Sequence, residues 1–461
     1  MPQAADRADA PDPHTRPAGP RFAGSDRRQP LRQALQQAGQ YGPGQTAGRF
    51  YPMACVSLEV TQRCNLDCRL CYLSDRAELA HDVPLRVLFD RIRMVRSHYG
   101  PGTPVQISGG DPTLRSAEDL EAICREIRGR GLRSCLMTNG IRASRALLAR
   151  LAAAGLDDVA FHVDLTQDRK GYDTEVSLNP VRAKYIRRAE GLGLRVLFNT
   201  TVFDGNLHEL PVLARFFRDH AATVALASFQ MQADTGRGVL RDRAAAVTPA
   251  ALRSALAEGM GCALDFDSAA IGHEACSRYA SVLVAGRSAV SALADRRLLH
   301  DLFAGLETVE RPVEPHLELR ATLRRLLPRR PLLTLRLAWH CLALFWRLRR
   351  GLPAARFRPA RLSLLVHDFM DATDLDAERC RACVFMVMTA EGPLSMCVHN
   401  AARDRHLFAP ARVETAAGRR WWDAASGRLA TARPEVDPAA LPLPRKRLKG
   451  RLRAAAGDDG R

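Results

Sequence analysis

Three cysteines fall within eight residues of one another in the run Thr61-Gln-Arg-Cys64-Asn-Leu-Asp-Cys68-Arg-Leu-Cys71-Tyr72. Thiolates are soft ligands, so a C-x3-C-x2-C spacing on one short segment points to a metal centre. Three thiolates on a single loop can wrap three corners of a cube-shaped iron–sulfur cluster. A tetrahedral zinc site would need a fourth ligand from elsewhere in the chain. A cluster with three protein ligands keeps one iron open, and a substrate or cofactor can bind there. A structural zinc site and three unrelated buried thiols are the plainer alternatives.

A second group stands about 40 residues on, at Ser108-Gly109-Gly110-Asp111-Pro112-Thr113. Paired glycines allow close backbone approach, and a carbonyl or carboxylate can accept from an ammonium group. Further polar residues end apolar runs: Thr138 and Asn139, His162 and Asp164, Asn199 and Thr200. For Thr138 and Asn139 the competing role is a helix-capping turn. For His162 it is a satisfied core histidine. A separate set, Cys276, Cys380, Cys383 and Cys397, lies in the C-terminal half. Four thiolates could hold an auxiliary cluster; zinc and ordinary buried cysteine remain open, because soft ligation suits both metals. The 12 cysteines are unevenly spaced in 461 residues, a pattern of metal ligation in a reducing compartment and not of disulfide staples.

The elements that must carry these groups alternate in type. Residues 54–60 alternate and are β-branched, which predicts a strand ending just before Thr61. Strands are then expected near 105–107, 132–137, 159–164, 194–202 and 224–229, with helices near 116–128, 147–154, 181–192 and 210–217. About six β/α units predict an α/β fold, a partial (β/α)6 barrel over residues 51–248. Barrel enzymes put their chemistry at the carboxyl ends of the strands, and both motifs sit there. Residues 1–50, rich in Pro, Gly, Gln and Arg, read as a disordered leader without an apolar signal region. Residues 249–410 read as a cysteine-containing C-terminal domain with a basic insert at about 316–361. Residues 411–461 read as a basic, partly ordered tail.

The two N-terminal motifs together resemble the radical S-adenosylmethionine (radical SAM) superfamily over about residues 53–235. The resemblance implies a [4Fe–4S] cluster on Cys64, Cys68 and Cys71. It also implies SAM held along Gly109, Gly110, Asp111 and Pro112, with Asp where many members have Glu. Thr138, Asn139, His162 and Asn199 are further cofactor-binding candidates at the strand ends. A reductant such as flavodoxin or ferredoxin is the implied partner. The C-terminal half is similar to the tetraether lipid synthase and class D methyltransferase branch, in the order Asp265-Phe266, His273, Cys276, Phe369-Met370-Asp371, Cys383, Glu391-Gly392, Cys397 and Asn400. Ile271 and Glu274 depart from that branch's pattern. The implied reaction is radical C–C bond formation or methylation at an unactivated carbon of a lipid or hydrophobic substrate. A peptide-maturing enzyme with an auxiliary cluster and an RNA-modifying enzyme are the alternatives.

The net charge of +18 is localised. Residues 316–361 hold twelve arginines against one acid, Glu318, and residues 445–453 add six basic residues and no acid. Such stretches suit an anionic surface, lipid or nucleic acid. Residues 332–350 predict a helix with Trp among Leu and Arg at both ends. It is too basic and too short to span a bilayer, and suits the headgroup plane better than RNA. A core helix with solvated ends is the alternative. The expected location is the cytoplasm, with peripheral contact at the inner membrane face.

Overall fold

The computed structural model describes residues 53–238, 247–269, 271–307, 324, 327–416 and 418–442. The expected leader, residues 308–323 of the insert region and the basic run at 445–453 lie outside the described residues.

Strand β1 (Cys55–Thr61) is buried along its whole length. A strand covered on both faces needs a continuous apolar run, and Val56, Leu58 and Val60 supply one face. It pairs in parallel with β2 (Pro104–Gly109), and the parallel row continues through β3 (Arg133–Thr138), β4 (Asp158–His162), β5 (Arg195–Val202) and β6 (Val224–Met231). Helices α1 (Leu85–Tyr99), α2 (Ala117–Gly129), α3 (Arg145–Ala154), α4 (Asn179–Ala189) and α5 (Leu210–Asp219) alternate with the strands, and α6 (Pro249–Met260) follows β6. Their starts are written locally. Ser116 Oγ accepts from Asp119 N–H, and Ser144 Oγ from Leu147 N–H, each capping an orphan amide. On α2, Leu120, Ile123, Cys124 and Ile127 recur at helical spacing and are buried. The rings of Phe161, Phe198 and Phe217 tie β4, β5 and α5 together, with centroids 5.7 and 5.3 Å apart.

The sheet does not stop at residue 248, where the sequence predicts a domain boundary. Strand β9 (Ala360–Asp368) adds in parallel beyond β6, and β10 (Phe385–Thr389) adds in parallel before β1. Eight parallel strands therefore run in the order β10-β1-β2-β3-β4-β5-β6-β9. The two ends meet where His367 of β9 packs edge-on against Phe385 of β10, centroids 4.5 Å apart. The six-unit barrel is thus extended and nearly closed by strands from the C-terminal half. Antiparallel edges follow: β7 (Ser277–Ala285) and β8 (Ser288–Ser291) beside β9, and β11 (Gly392–Ser395) beside β10.

Two helices cover the β7–β8 hairpin. Helix α7 (Arg296–Glu307) meets α8 (Pro331–Leu348) through Leu298, Leu299, Leu333 and Leu337. Residues 411–430, expected as part of a loose tail, form a three-stranded antiparallel sheet, β12 (Ala411–Thr415), β13 (Gly418–Asp423) and β14 (Arg428–Ala430). Its Val413 and Trp422 join the main core. No described helix is long and apolar enough to cross a membrane.

Candidate active site

The three-cysteine loop leaves the carboxyl end of β1 and is zipped onto the carboxyl end of β2. Gly110 N–H donates to Thr61 O and Asp111 N–H to Arg63 O, both at 2.8 Å. A Cβ at Gly109 would lie 2.0 Å from Thr61 O, and one at Gly110 2.1 Å from Arg63 O. The glycines are therefore required for the approach of the cysteine loop itself, whatever they do for a ligand. Gly109 also holds φ +117°, a backbone region that L side chains rarely adopt.

Asp111 is fully buried, and its carboxylate ties two strand ends together. Oδ1 accepts from Thr113 N–H at 3.0 Å and from the Thr113 hydroxyl at 2.5 Å. Oδ2 accepts from the Thr138 hydroxyl and from Asn139 N–H, both at 2.9 Å. The expectation that an acid here accepts an ammonium meets a side chain already engaged by the fold. Thr138 and Asn139 likewise brace the site, since Asn139 Nδ2 donates to Asn65 Oδ1 of the cysteine loop at 2.6 Å. Pro112 opens the short turn that Asp111 caps.

Two other strand ends hold the far side of the loop. After β4, Arg69 N–H donates to Thr166 O at 2.8 Å, and Arg69 pairs with Asp168 at 3.1 Å. After β6, Arg237 N–H donates to Leu73 O at 2.8 Å and to Cys71 O at 3.1 Å. The Arg237 side chain is buried beside Cys71. Its Nη1 reaches Glu78 at 3.3 Å, while Nε and Nη2 are buried without a hydrogen-bond partner. Burial disfavours its charge, but Cys71 and Glu78 outweigh that and raise its pKa. Burial is also the main reason the Cys64 thiol is pushed up to about 11, with Cys71 and Asp111 adding to it. Cys68 is raised further by burial, then by Cys71, Asp164 and Cys64. Without a metal these two thiols stay protonated at neutral pH, so loading a metal must release protons.

Beneath the loop lies a cavity of about 160 Å³ inside the barrel mouth. Its lining is mixed: Leu70, Met137, Met231, Phe369, Val387 and Met396 are apolar, while Glu59, Gln106, Ser108, Thr201, Gln230 and Asn400 are polar. His162 and Asn199, at the ends of β4 and β5, are among its lining residues. His162 Nε2 lies 2.6 Å from Asp164 Oδ2, and Asp164 also accepts from the backbone N–H of Thr166 and Thr201. Burial alone would lower the His162 pKa; Asp164 overcomes it and raises the value above 6.5. Asn199 Nδ2 contacts Met137 Sδ at 3.1 Å. A wider bowl of about 620 Å³ opens beside the cavity and shares Leu70, Ala233, Thr235 and Asn400 with it.

Sequence reasoning missed a buried ion pair whose acid lines the cavity and whose base lines the adjoining bowl. Glu59 of β1 is ion-paired with Arg403 and accepts from Gln62 Nε2 at 2.9 Å. Burial would raise the Glu59 carboxyl, yet Arg403, His399 and Gln62 hold it below its usual range. A carboxylate in the apolar run Cys55-Val-Ser-Leu-Glu59-Val-Thr61 was the visible signal. The Arg403 guanidinium also lies 4.7 Å from the ring of Tyr72, whose hydroxyl donates to Gly109 O.

The four C-terminal cysteines converge at the seam between β9 and β10. Cys276, Cys383 and Cys397 line one small space of about 10 Å³ with His367 and Met370. Cys380 lies close enough for Cys383 and Cys276 to raise its thiol, after burial, to about 11. Arg379 Nε donates to Cys276 Sγ at 3.2 Å, and Cys383 Sγ to Phe385 O at 3.1 Å. No three described Cys, His, Asp or Glu side chains close on a single metal ion. A cube-shaped cluster needs another geometry, one thiolate per iron at separate corners.

Residues 58–217 match the model of the Radical SAM superfamily. The chain carries a radical SAM domain. The PqqA peptide cyclase of Methylorubrum populi is 34% identical over 162 residues, covering 33% of this chain and 40% of that protein. The 7,8-dihydro-6-hydroxymethylpterin dimethyltransferase of Methanocaldococcus jannaschii is 27% identical over 188 residues, covering 40% and 37%. The chain spans about two fifths of the length of these curated relatives. Among solved structures, Streptococcus suis SuiB bound to its precursor peptide SuiA aligns with a TM-score of 0.34 at 14% identity, over 46% of this chain and 47% of that one.

A radical SAM domain is an enzyme domain whose cofactors are a [4Fe–4S] cluster and SAM, and it draws an electron from a reductant. The residues present fit that pair. Three thiols share one braced loop, and the orphaned N–H groups of Arg237 beside Cys71 offer donors to a thiolate-bound cluster.

Proposed function

We propose that this radical SAM enzyme forms C–C bonds, or transfers a methyl or methylene group, at an unactivated carbon of a lipid or other hydrophobic substrate. Cys64, Cys68 and Cys71 would hold the cluster, and the Gly109–Pro112 segment, Thr138, Asn139, His162 and Asn199 would surround SAM. When bound, these cofactors supply reductive cleavage of the sulfonium and a carbon radical that removes hydrogen from the substrate. The chain's own residues do the rest. Gly109, Gly110 and Asp111 fix the loop on β2. Leu70, Met137, Met231 and Phe369 supply the apolar part of the cavity wall. His162, oriented by Asp164, offers a cationic or proton-donating group in the cavity wall. Cys276, Cys380, Cys383 and Cys397 would hold a second metal centre close to the cavity, where Phe369 and Met396 line both spaces.

The observation that carries the proposal is the cysteine loop zipped to Gly109–Gly110 above a cavity at the barrel mouth that Leu70, three methionines and Phe369 share with polar groups. The C-terminal motif order and a relative named as a methyltransferase support group transfer. A peptide-maturing role is the second reading, favoured by the match to a protein named a peptide cyclase. The test is anaerobic reconstitution with iron and sulfide, an iron count, and 5′-deoxyadenosine measured after reduction by flavodoxin or ferredoxin with SAM present. Lipid extracts that raise deoxyadenosine and gain mass support the first reading. A peptide encoded beside the gene that does so instead supports the second. No deoxyadenosine under any substrate, with the cluster loaded, overturns both.

A further inference from the structure

Helix α8 (Pro331–Leu348) has two apolar faces, and the fold uses only one. Leu333, Leu337, Leu344 and Leu348 are buried, packed on α7 and on the β7–β8 hairpin. Leu332, Leu335, Trp339, Leu342 and Trp346 repeat at steps of three and four and form a second stripe on the opposite side. That stripe faces solvent: Trp339 is 75% exposed, Trp346 68% and Leu332 76%. Scattered apolar surface residues are ordinary; a continuous stripe with two exposed tryptophans is a contact surface.

The charge around the stripe selects the partner. Residues 327–361 contain nine arginines and no acid. Arg347 flanks the stripe, Arg349 stacks 4.5 Å from the Trp346 ring, and Arg350, Arg356 and Arg358 follow; Arg336 is paired with Asp301 of α7 at 2.7 Å and is not part of this rim. A second copy of the chain would set this cationic surface against itself. Nucleic acid needs phosphate-binding groups at the centre of the contact, whereas here the centre is Leu and Trp and the arginines form the rim. An anionic bilayer surface matches both parts. Apolar side chains enter the acyl boundary, Trp sits at the headgroup level, and Arg reaches the lipid phosphates.

We propose that α8 docks the protein on anionic lipid bilayers, lying in the headgroup plane with the Leu332–Trp346 stripe inserted. Docking is independent of the substrate assignment above. The helix stays on its own protein core while it docks, since the buried and exposed stripes lie on opposite faces.

The experiment is flotation of the reconstituted full chain with vesicles of phosphatidylcholine and phosphatidylglycerol, and with phosphatidylcholine alone. Brominated-lipid quenching of tryptophan emission is read in parallel. We expect binding to the mixed vesicles and quenching of the wild type. Binding to phosphatidylcholine alone should be at least about tenfold weaker, as it should be for Leu335→Ser/Trp339→Ser on the mixed vesicles. That variant should keep its deoxyadenosine formation, which separates docking from the enzyme reading. No flotation of the wild type, equal flotation of the variant, or bound protein with unquenched tryptophans would overturn the proposal. So would RNA binding that the double variant abolishes while vesicle binding persists.

Discussion

Replacing Gly110 by alanine should dismantle the cofactor loop without touching a single cysteine. The new Cβ would sit 2.1 Å from the Arg63 carbonyl oxygen and 2.7 Å from that of Gln62. Real Cβ contacts stay beyond 3.0 Å, so the backbone one residue before Cys64 must move by about 1 Å. The two hydrogen bonds of the zipper, Gly110 to Thr61 and Asp111 to Arg63, lengthen or break. Each contributes about 0.5–1.5 kcal/mol net, so the local cost is about 1–3 kcal/mol. A 1 Å misplacement in a catalytic site costs on the order of 100-fold in rate. Gly129→Ala is the matched control, since nothing lies within 4 Å of its new Cβ at the end of α2. It should be neutral or stabilise by up to about 1 kcal/mol. The assay compares iron retained after anaerobic desalting, thermal midpoint and deoxyadenosine yield in both variants. Gly110→Ala with full iron and an unchanged midpoint would refute the idea that the glycines serve the loop.

Cys68→Ala should lose SAM cleavage and about four irons per chain, whereas Cys383→Ala should lose iron but keep deoxyadenosine formation. Asp111→Asn removes an acceptor from a buried cluster of donors and should lower stability by about 1–3 kcal/mol, read by urea unfolding. His162 should titrate above its ordinary value in the wild type and lower in Asp164→Asn, where the main influence opposing burial is gone; imidazole proton shifts in NMR give the answer. The sign fixes the pH window: the His162 contribution is present below about 6.5 and fades as pH rises through the raised value. Asp164, held well below the usual carboxylate range against the opposing effect of burial by His162 and its hydrogen bonds, contributes above about pH 3.9 and fails on acidification. The pair should therefore stabilise the fold most between those limits.

The first six strands and their helices are legible because their signals are local. Val56, Leu58 and Val60 mark a strand, and Ser116 and Ser144 mark helix starts, whatever lies elsewhere in the chain. The cysteine spacing and the Gly-Gly turn are equally local. Closure of the barrel is not, because β9 and β10 look like any short apolar run, and nothing near Phe385 says that it pairs beside Cys55. The roles of Asp111 and Thr138 were hidden for the same reason: a carboxylate's donors come from neighbouring strand ends and not from neighbours in sequence. The sheet at 411–430 left a faint trace in the alternation around Val413 and in the Trp421-Trp422 pair.

The parallel pairing of β1 with β10 has a consequence for synthesis. Cys55 emerges from the ribosome long before Phe385, its partner in the ladder. At about 5–20 residues per second, β1 keeps one open edge for on the order of 15–65 s. An unpaired strand edge with Val56, Leu58 and Val60 on one face is an aggregation template during that interval. The cysteine loop that follows β1 is exposed to metal and oxidant over the same time, before the C-terminal half shuts the barrel. Slowed translation between residues 248 and 385, or truncation before 385, should therefore yield insoluble, iron-poor protein even with every cluster cysteine present.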